Sequence, residues 1–437
     1  MEVKTFQGGA HIPHYKVYTE AKPIEKLADP PEVIIPLSQH LGAPNKSLVK
    51  EGDKVKVGQK IGDSDEYISA PVHASISGTV KAVEPRLIYT GGEAECVVIE
   101  ADGGPHEFSP EENRDPEKMS KEELIEAIRE AGLVGMGGAA FPTHVNINQK
   151  KDIDTLLLNG AECEPFLTCD HRVMVEQAEK LVAGAEIIMR CIGATKCFIG
   201  IEVNKPDAIK AVEEKISDKK GFEVVPLEVK YPQGFKSHLI KAVTGRDVPR
   251  GARSADLGCI VRNVGTTIAA YEAAAYGKPL IERVLTVSGP EVPKPGNYLV
   301  KVGAPVYHIL QECRVDDLEN SKVVLGGPMT GLAQIDLNTS IVKSTTGIVV
   351  LPPEMVEEEI TYKDCVRCGK CVEHCPMWLY PNEISIYTEA EDYEAAQEWD
   401  LDDCIECGIC AYVCPSYRPI VHFVQRAKAD IEKMQKK

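Results

Sequence analysis

The sequence predicts a mixed α/β chain of several domains that closes on a cysteine-rich α module. Three observations carry that reading. Between residues 120 and 281, short apolar runs alternate with stretches of helical period, the pattern of a mostly parallel sheet flanked by helices. Before it, residues 33–101 are rich in Gly, Val and Ile in short alternating runs, as in an all-β domain. After it, eight of the fifteen cysteines fall into two runs of identical spacing.

Composition narrows the function. The 437 residues suffice for about three or four domains. The formal charge of −18 argues against nucleic acid, because phosphate binding needs clustered Lys and Arg. Acidic runs such as Glu357–Glu359 read as solvated linker surface. No basic segment followed by an apolar core marks a signal peptide, and no apolar run approaches the roughly 20 residues of a membrane helix. The expectation is a soluble chain, or one peripheral on a complex whose other subunits cross the membrane. The remaining cysteines (Cys96, Cys163, Cys169, Cys191, Cys197, Cys259 and Cys313) are scattered, which points to a reducing compartment and not to a disulfide scaffold.

In chain order, residues 1–32 are an N-terminal extension. Residues 33–101 carry V-x-x-G-D-x-V-x-x-G-Q and a later A-P stretch, which resemble the barrel-sandwich hybrid domain of lipoyl and biotinyl carriers. The hairpin that bears a modifiable Lys in those carriers is here Gly62–Ser69 and holds no Lys, so a scaffold without covalent cofactor is expected. Residues 102–119 are a polar, Pro-containing linker. Ser120 and Glu123 form an S-x-x-E capping box that opens a helix with Leu124, Ile125 and Ile128 on its apolar side. Strands follow at "DTLLLNGAE", "KCFIGIEV" and "FEVVPLEV". Helices are expected over 174–190, from Pro206 onward and over 265–277. Residues 282–350 read as a small α+β module, and 351–437 as the cysteine domain. Its tail is expected to be helical, with Ile420, Phe423, Val424 and Ala427 on one side. Lys433, Lys436 and Lys437 lie at its end, a solvated terminus or a docking point for a partner or an anionic lipid surface.

Cys365, Cys368, Cys371 and Cys375 read C-x-x-C-x-x-C-x-x-x-C-P, and Cys404, Cys407, Cys410 and Cys414 repeat it. This spacing specifies two [4Fe–4S] clusters, because three thiolates on one tight loop wrap a cubane while the fourth reaches the neighbouring one. Cys365, Cys368, Cys371 and Cys414 are thereby assigned to one cluster, and Cys404, Cys407, Cys410 and Cys375 to the other. Zinc fits poorly, since structural zinc sites pair two C-x-x-C knuckles across a longer loop.

Upstream, "GLVGMGGAAFPTH" brings four glycines (Gly132, Gly135, Gly137 and Gly138) into a loop whose N–H groups can approach an anion. Alone this is a weak signal, for it matches neither G-x-G-x-x-G nor a P-loop. "NGAECEP" adds Glu162 and Glu164 at a strand end, and "VRNVGTT" adds an amide and hydroxyls at a helix start. Ordinary loop and cap residues are the competing reading. Cys163, between the glutamates, reads first as packing and second as a redox group.

Taken in order, "GMGGAAFPT", "NGAECEP", "YPQG" and "VRNVGTT" resemble the flavin site of the complex I subunit that oxidises NADH. With the barrel-sandwich start, a following module similar to the SLBB β-grasp domain and the twin-cluster end, the whole chain resembles the C subunits of Rnf electron-transport complexes. The resemblance implies a Rossmann-like flavin/NADH domain over 120–281, non-covalent FMN, NAD(H) as substrate and two [4Fe–4S] clusters. It also implies an iron–sulfur electron-donor subunit and membrane-embedded subunits as partners, and a peripheral place on the cytoplasmic side of the membrane. Residue by residue, it places Gly135, Gly137 and Gly138 along FMN and Phe141 against the adenine. Asn159, Glu162 and Glu164 would meet isoalloxazine and nicotinamide, the two glutamates being the catalytic candidates. Tyr231 and Gly234 would close over the site, and Asn263 and Thr266 would hold the phosphate end. The chain departs from the complex I pattern at Met136, which replaces Arg, at Asn146, which replaces Lys, and at Phe235–Lys236, which replaces an acidic pair. Lys236 and Arg262 are the available substitutes for the lost phosphate contacts. Two other readings use the same modules, a cobalamin-reductase-like flavoprotein and an electron-wiring subunit whose flavin site has decayed.

Overall fold

Four apolar segments, Thr155–Gly160, Lys196–Glu202, Phe222–Leu227 and Cys259–Asn263, pair into one parallel sheet. The computed structural model describes residues 2–112, 114–316, 318, 321–356 and 361–435. Glu357–Glu359, Lys436 and Lys437 lie outside the described residues. Across the sheet the order is Phe222–Leu227, Lys196–Glu202, Thr155–Gly160, Cys259–Asn263. The chain steps twice to one side of Thr155–Gly160 and then returns to add Cys259–Asn263 on the other. The gap between those two strands is therefore the switch point at which ligands bind in open α/β sheets. Their ends are level, with Asn159 opposite Asn263.

Helices cover both faces of this sheet. The capping box forms as the sequence implies, with Ser120 and Glu123 each bonding the other's backbone N–H, and Leu124 and Ile128 are buried. The single helix expected over 174–190 is two, Cys169–Glu176 and Ala178–Ile192, broken at Gln177 with φ −128° and ψ 29°. The first of these begins where a carboxylate from the preceding loop meets its N–H groups, a partner that periodicity cannot reveal. The small-residue helix starts one residue early, at Val264, because Asn263 caps it. Its close packing on Ala178–Ile192 depends on Gly184, where a Cβ would lie 2.0 Å from the Thr267 carbonyl oxygen.

Residues 32–101 form two small antiparallel sheets around Val33, Ile35, Ile61, Val72, Val80, Val97 and Ile99. The hairpin without a Lys is pinned down. Asp63 accepts two bonds at 3.0 Å from Arg129, Ser64 carbonyl accepts a third, and Lys60 pairs with Glu130. Burial pushes the Asp63 carboxyl up, but hydrogen bonds from Lys60, Ser64 and Arg129 outweigh it and hold the pKa below its usual value. The hairpin is thus a fixed dock for the helix Lys121–Glu130.

Residues 282–351 supply five strands of a six-stranded sheet, with the helix Val306–Glu312 packed in its core. The sixth strand is Ile24–Lys26 of the N-terminal extension, parallel to Gly296–Lys301. The same extension bridges Lys4 to Leu227 and Ala10 to Tyr231. It therefore ties the six-stranded sheet to the parallel sheet. Among the described residues of 361–435 the regular elements are all helical, and Ile420, Phe423, Val424 and Ala427 are buried on one side of Ile420–Gln435. Among the described residues no helix is long and apolar enough to cross a membrane.

Candidate functional site: two cysteine cavities beside an α/β crevice

The two cysteine runs fold alike. Arg367 and Glu406 take left-handed backbone angles, φ 52° and 54°, and Gly369 and Gly408 follow in the same region before the short helices Lys370–Glu373 and Ile409–Tyr412. Non-glycine residues hold such angles only where their surroundings over-determine them. The turns aim N–H groups at sulfur, Arg367 at Cys365 and Glu406 at Cys404, each at 3.4 Å. Leu379 N–H does the same for Cys375 at 3.4 Å. Cys365, Cys368, Cys371 and Cys414 line one cavity of about 350 Å³. Cys404, Cys407, Cys410 and Cys375 line another of about 420 Å³, whose remaining wall is largely apolar. Among the described residues no His, Cys, Asp or Glu trio is placed to hold a single metal ion. Four sulfurs around a void, with N–H donors to sulfur, fit an iron–sulfur cluster in each cavity.

The crevice at the switch point gathers the other singled-out residues. The glycine loop closes on itself through Gly135 N–H to Phe141 carbonyl, 3.0 Å. Gly137 lies against Asn263, a Cβ there falling 2.9 Å from Asn263 Nδ2, whereas Gly138 faces open space. Met136 is buried in the core and its N–H donates to Thr266 Oγ1 at 2.9 Å. The residue that replaces Arg is therefore a buried packing group beside the helix start at Gly265, and its backbone N–H keeps the loop anchored. Phe141 is half-buried on the loop's return arm. Asn159 Nδ2 donates to Gly234 carbonyl at 2.8 Å, which ties the central strand to the 231–235 turn. Asn263 Oδ1 accepts from Thr266 N–H at 3.2 Å, and its Nδ2 donates to Asp170 at 2.7 Å.

Other placements differ from the implied roles. Glu162 turns its carboxylate onto the helix Cys169–Glu176, accepting from Asp170 N–H at 2.6 Å and His171 N–H at 3.2 Å. Glu164 reaches the turn after Lys322–Leu325, accepting from the N–H groups of Met329 and Thr330 at 3.1 and 2.9 Å. Burial pushes its carboxyl up against those bonds. Both glutamates are thus held by backbone donors. Tyr231 does not lie open over the crevice. It is 2% exposed, bridged to Ala10 and packed on Ile409. Cys163 packs beside it, its sulfur accepting from Gly234 N–H at 3.5 Å, and burial pushes its thiol up to about 12. That is the environment of an inert packing thiol.

Three further residues shape the site without a sequence signal. Lys16 of the extension is buried and donates to the carbonyls of Glu162, Glu164 and Leu167 at 2.8, 3.0 and 2.5 Å. Asp170 is half-buried, and desolvation with the nearby Glu162 charge raises its carboxyl well above the usual range. Lys205 donates to Ala161 carbonyl at 2.7 Å and pairs with buried Glu202 at 3.0 Å. The lysines are invisible as partners in the sequence because each lies more than forty residues from the loop it holds, apart from the local Lys205–Glu202 pair.

The second cavity abuts the crevice. Cys407, Ile409, Tyr231, Cys163 and Met329 pack together. His238, at the foot of the 231–235 turn, lies within 3.2 Å of the Pro376 carbonyl, next to Cys375. The first cavity lies farther out, and Cys368 is exposed.

Comparison with known proteins agrees with this layout. The domain family described as RnfC barrel sandwich hybrid matches residues 4–104, the Nuo51 FMN-binding domain matches 128–272, and a 4Fe-4S dicluster domain matches 357–415. Among curated relatives are the C subunits of two ferredoxin:NAD⁺ oxidoreductase complexes. To that of the proton-translocating complex of Clostridium ljungdahlii the chain is 44% identical over 433 residues, covering 98% of this chain and 94% of that one. To that of the Na⁺-translocating complex of Acetobacterium woodii it is 42% identical over 402 residues, covering 91% and 90%. A solved NAD⁺-reducing [NiFe]-hydrogenase in the H2-reduced state shares the fold, with TM-score 0.51 and 19% identity over 70% of this chain and 61% of that one. The glycine loop backbone, the Asn263 cap and the open face at Gly138 fit a flavin nucleotide in the crevice, and the two cavities fit the clusters. With near-complete coverage at such identity, the chain belongs to the family of C subunits of Rnf-type ferredoxin:NAD⁺ oxidoreductase complexes.

Proposed function

We propose that this chain carries electrons between two [4Fe–4S] clusters and NAD(H) through non-covalent FMN, as the peripheral subunit on the cytoplasmic face of a translocase. Membrane-embedded partners then couple the transfer to Na⁺ or H⁺ movement. The observation that carries the reading is the contact between the Cys375/Cys404/Cys407/Cys410 cavity and the crevice, through Tyr231, Cys163 and Ile409. Flavin, when bound, exchanges hydride with nicotinamide and single electrons with clusters, which is why it stands between them.

The residues of the chain do the positioning. Gly135, Gly137 and Gly138 would line a bound flavin without side chains in the way, and Asn159 fixes the 231–235 turn at one side. Glu162 and Glu164 hold the shape of the 162–167 loop through backbone N–H groups, Lys16 locks its carbonyls, and this loop would help to position nicotinamide. The exposed outer cavity at Cys365, Cys368, Cys371 and Cys414 is the side that faces an iron–sulfur donor subunit. The test is anaerobic purification followed by reconstitution with FMN. Retained flavin that bleaches on addition of NADH is the expected result. Intact clusters with no flavin retention would instead make the chain an electron-wiring subunit and sink the catalytic reading.

A further inference from the structure

One charged side chain at the crevice has no counter-charge among the described residues. Arg262 is 8% exposed, yet its one hydrogen bond runs from Nη1 to the adjacent Val261 carbonyl at 3.2 Å. Its Nε and Nη2 have no partner among the described residues. Burial alone pulls the guanidinium down to about 10. A guanidinium presents five N–H donors in a planar fork and stays charged at any physiological pH. Held dry and unpaired, it is strongly unfavourable unless an anion completes the arrangement. Other buried cations of the chain are better satisfied. Lys205, Lys301 and Arg418 pair with Glu202, Glu282 and Glu389, while Lys16 and Lys343 each donate to two or more backbone carbonyls. Arg262 departs from that pattern.

Its place in the fold narrows what the anion is. Arg262 is the penultimate residue of Cys259–Asn263, the strand that borders the switch point, and it precedes the helix cap Asn263. Lys236, an exposed residue, begins the helix Lys236–Thr244, and partial desolvation followed by the neighbouring Arg262 charge lowers its ammonium. Lys236 makes no ion pair or hydrogen bond among the described residues. Two neighbouring cations with no carboxylate between them repel, and an anion shared by both removes that repulsion. Buried Gln233 on the 231–235 turn (both side-chain polar atoms) and Ser237 Oγ in the first turn of that helix also lack partners among the described residues. Across from this strand end, Gly137 lies on Asn263 and Gly138 is open.

We propose that Arg262 and Lys236 bind a phosphate group at this end of the crevice. The charge that the complex I pattern carries on its glycine loop and just beyond, where this chain has Met136 and Asn146, is relocated to a strand end and a helix start. The proposal rests on the flavin and nicotinamide reading for the source of the phosphate. Two sources share the chemistry, the monoester of FMN and the pyrophosphate of NAD(H).

The experiment uses the full chain with clusters reconstituted anaerobically, as wild type, R262Q, R262K and K236Q. Affinity for FMN and for riboflavin, which has the same ring without phosphate, is read by flavin fluorescence, and NADH affinity alongside. If the monoester is the ligand, R262Q weakens FMN by about 10- to 100-fold, as loss of a charge-assisted contact does, and leaves riboflavin within about twofold. R262K then recovers part of the loss, and K236Q costs less, about 3- to 10-fold. If the pyrophosphate is the ligand, FMN is unchanged and NADH weakens by about 10- to 100-fold, while reduced nicotinamide riboside does not. Equal loss of FMN and riboflavin, or loss of clusters, makes Arg262 structural and overturns the proposal. Unchanged affinity for both FMN and NADH overturns it as well. If wild type binds neither flavin nor NADH, the parent reading fails, and calorimetry with inorganic pyrophosphate decides. Binding lost in R262Q upholds the anion site, and no binding to wild type overturns it.

Discussion

The cysteine cavities and the α/β crevice are neighbours built on opposite plans. Each cavity takes three sulfurs from seven consecutive residues and a fourth from the matching run in the same module. The crevice takes its walls from the glycine loop, two strand ends, the 231–235 turn and an N-terminal lysine more than 140 residues from the carbonyls it holds. The cavities therefore depend on local spacing, and the crevice on the docking of separate parts. One practical consequence is that a cavity fails by losing a ligand, whereas the crevice fails by losing a tether.

The largest expected effect comes from crossing the cavities. Cys375→Ser removes a sulfur from the wall formed by Cys404, Cys407 and Cys410, so the cluster of that second cavity is lost while the Cys365-bearing cavity keeps its own. Iron content and electron paramagnetic resonance of the reduced protein read this directly. Loss of the signal from the first run's cluster instead would break the crossed assignment.

A smaller but still large effect is expected from cutting the crevice's tether. Lys16→Met leaves three carbonyls of the Glu162–Leu167 loop without their donor, at a cost of about 3 kcal/mol in stability. Denaturant unfolding measures the loss. NADH-driven flavin reduction should fall sharply with cluster content unchanged, because the extension does not supply cluster ligands. Loss of clusters in equal measure would erase the contrast between the two regions.

The smallest effect sharpens the contrast at one side chain. Glu162→Gln removes the charge and, because an amide has one acceptor oxygen, one of the two N–H bonds of the cap, which should cost about 1–2 kcal/mol at the helix Cys169–Glu176. It also removes a like charge beside Asp170, whose carboxyl pKa should then move down toward its usual range. Difference infrared spectroscopy across a pH titration checks the direction. NADH-dependent flavin reduction should be depressed, with clusters intact. An unmoved Asp170 would mean that desolvation alone sets its pKa.

The legibility of the two regions differed for the same reason. Spacing singled out all eight cysteines and the two sets of four that line the two cavities, because the motif is a property of one tight loop. Apolar patterning also placed three of the four parallel strands and the capping box, since local burial and local caps leave local patterns. The fourth strand, Cys259–Asn263, is short and was legible only as the approach to a helix start. Periodicity failed at Gln177, where a tertiary carboxylate starts one helix and a second follows. It failed again for residues 1–32, whose strand Ile24–Lys26 has meaning only beside Gly296–Lys301. Glu162 and Glu164 were conspicuous in the sequence, with ordinary cap residues as the competing reading, but nothing in "NGAECEP" said which downstream backbone N–H groups would take their carboxylates. Met136 looked like a missing charge and lies in the core.

The amino-acid sequence by itself determined the parallel α/β core and the two cysteine runs of identical spacing. Covalent spacing and hydrophobic period act over a few residues and need no folded partner to be read. Tertiary structure alone decided which polar groups are satisfied. Lys16, Glu162 and Glu164 find donors or acceptors beyond their own segments, whereas among the described residues Arg262 finds only the carbonyl next to it. A buried charge is costly in proportion to what surrounds it, and what surrounds it is fixed only when distant segments meet.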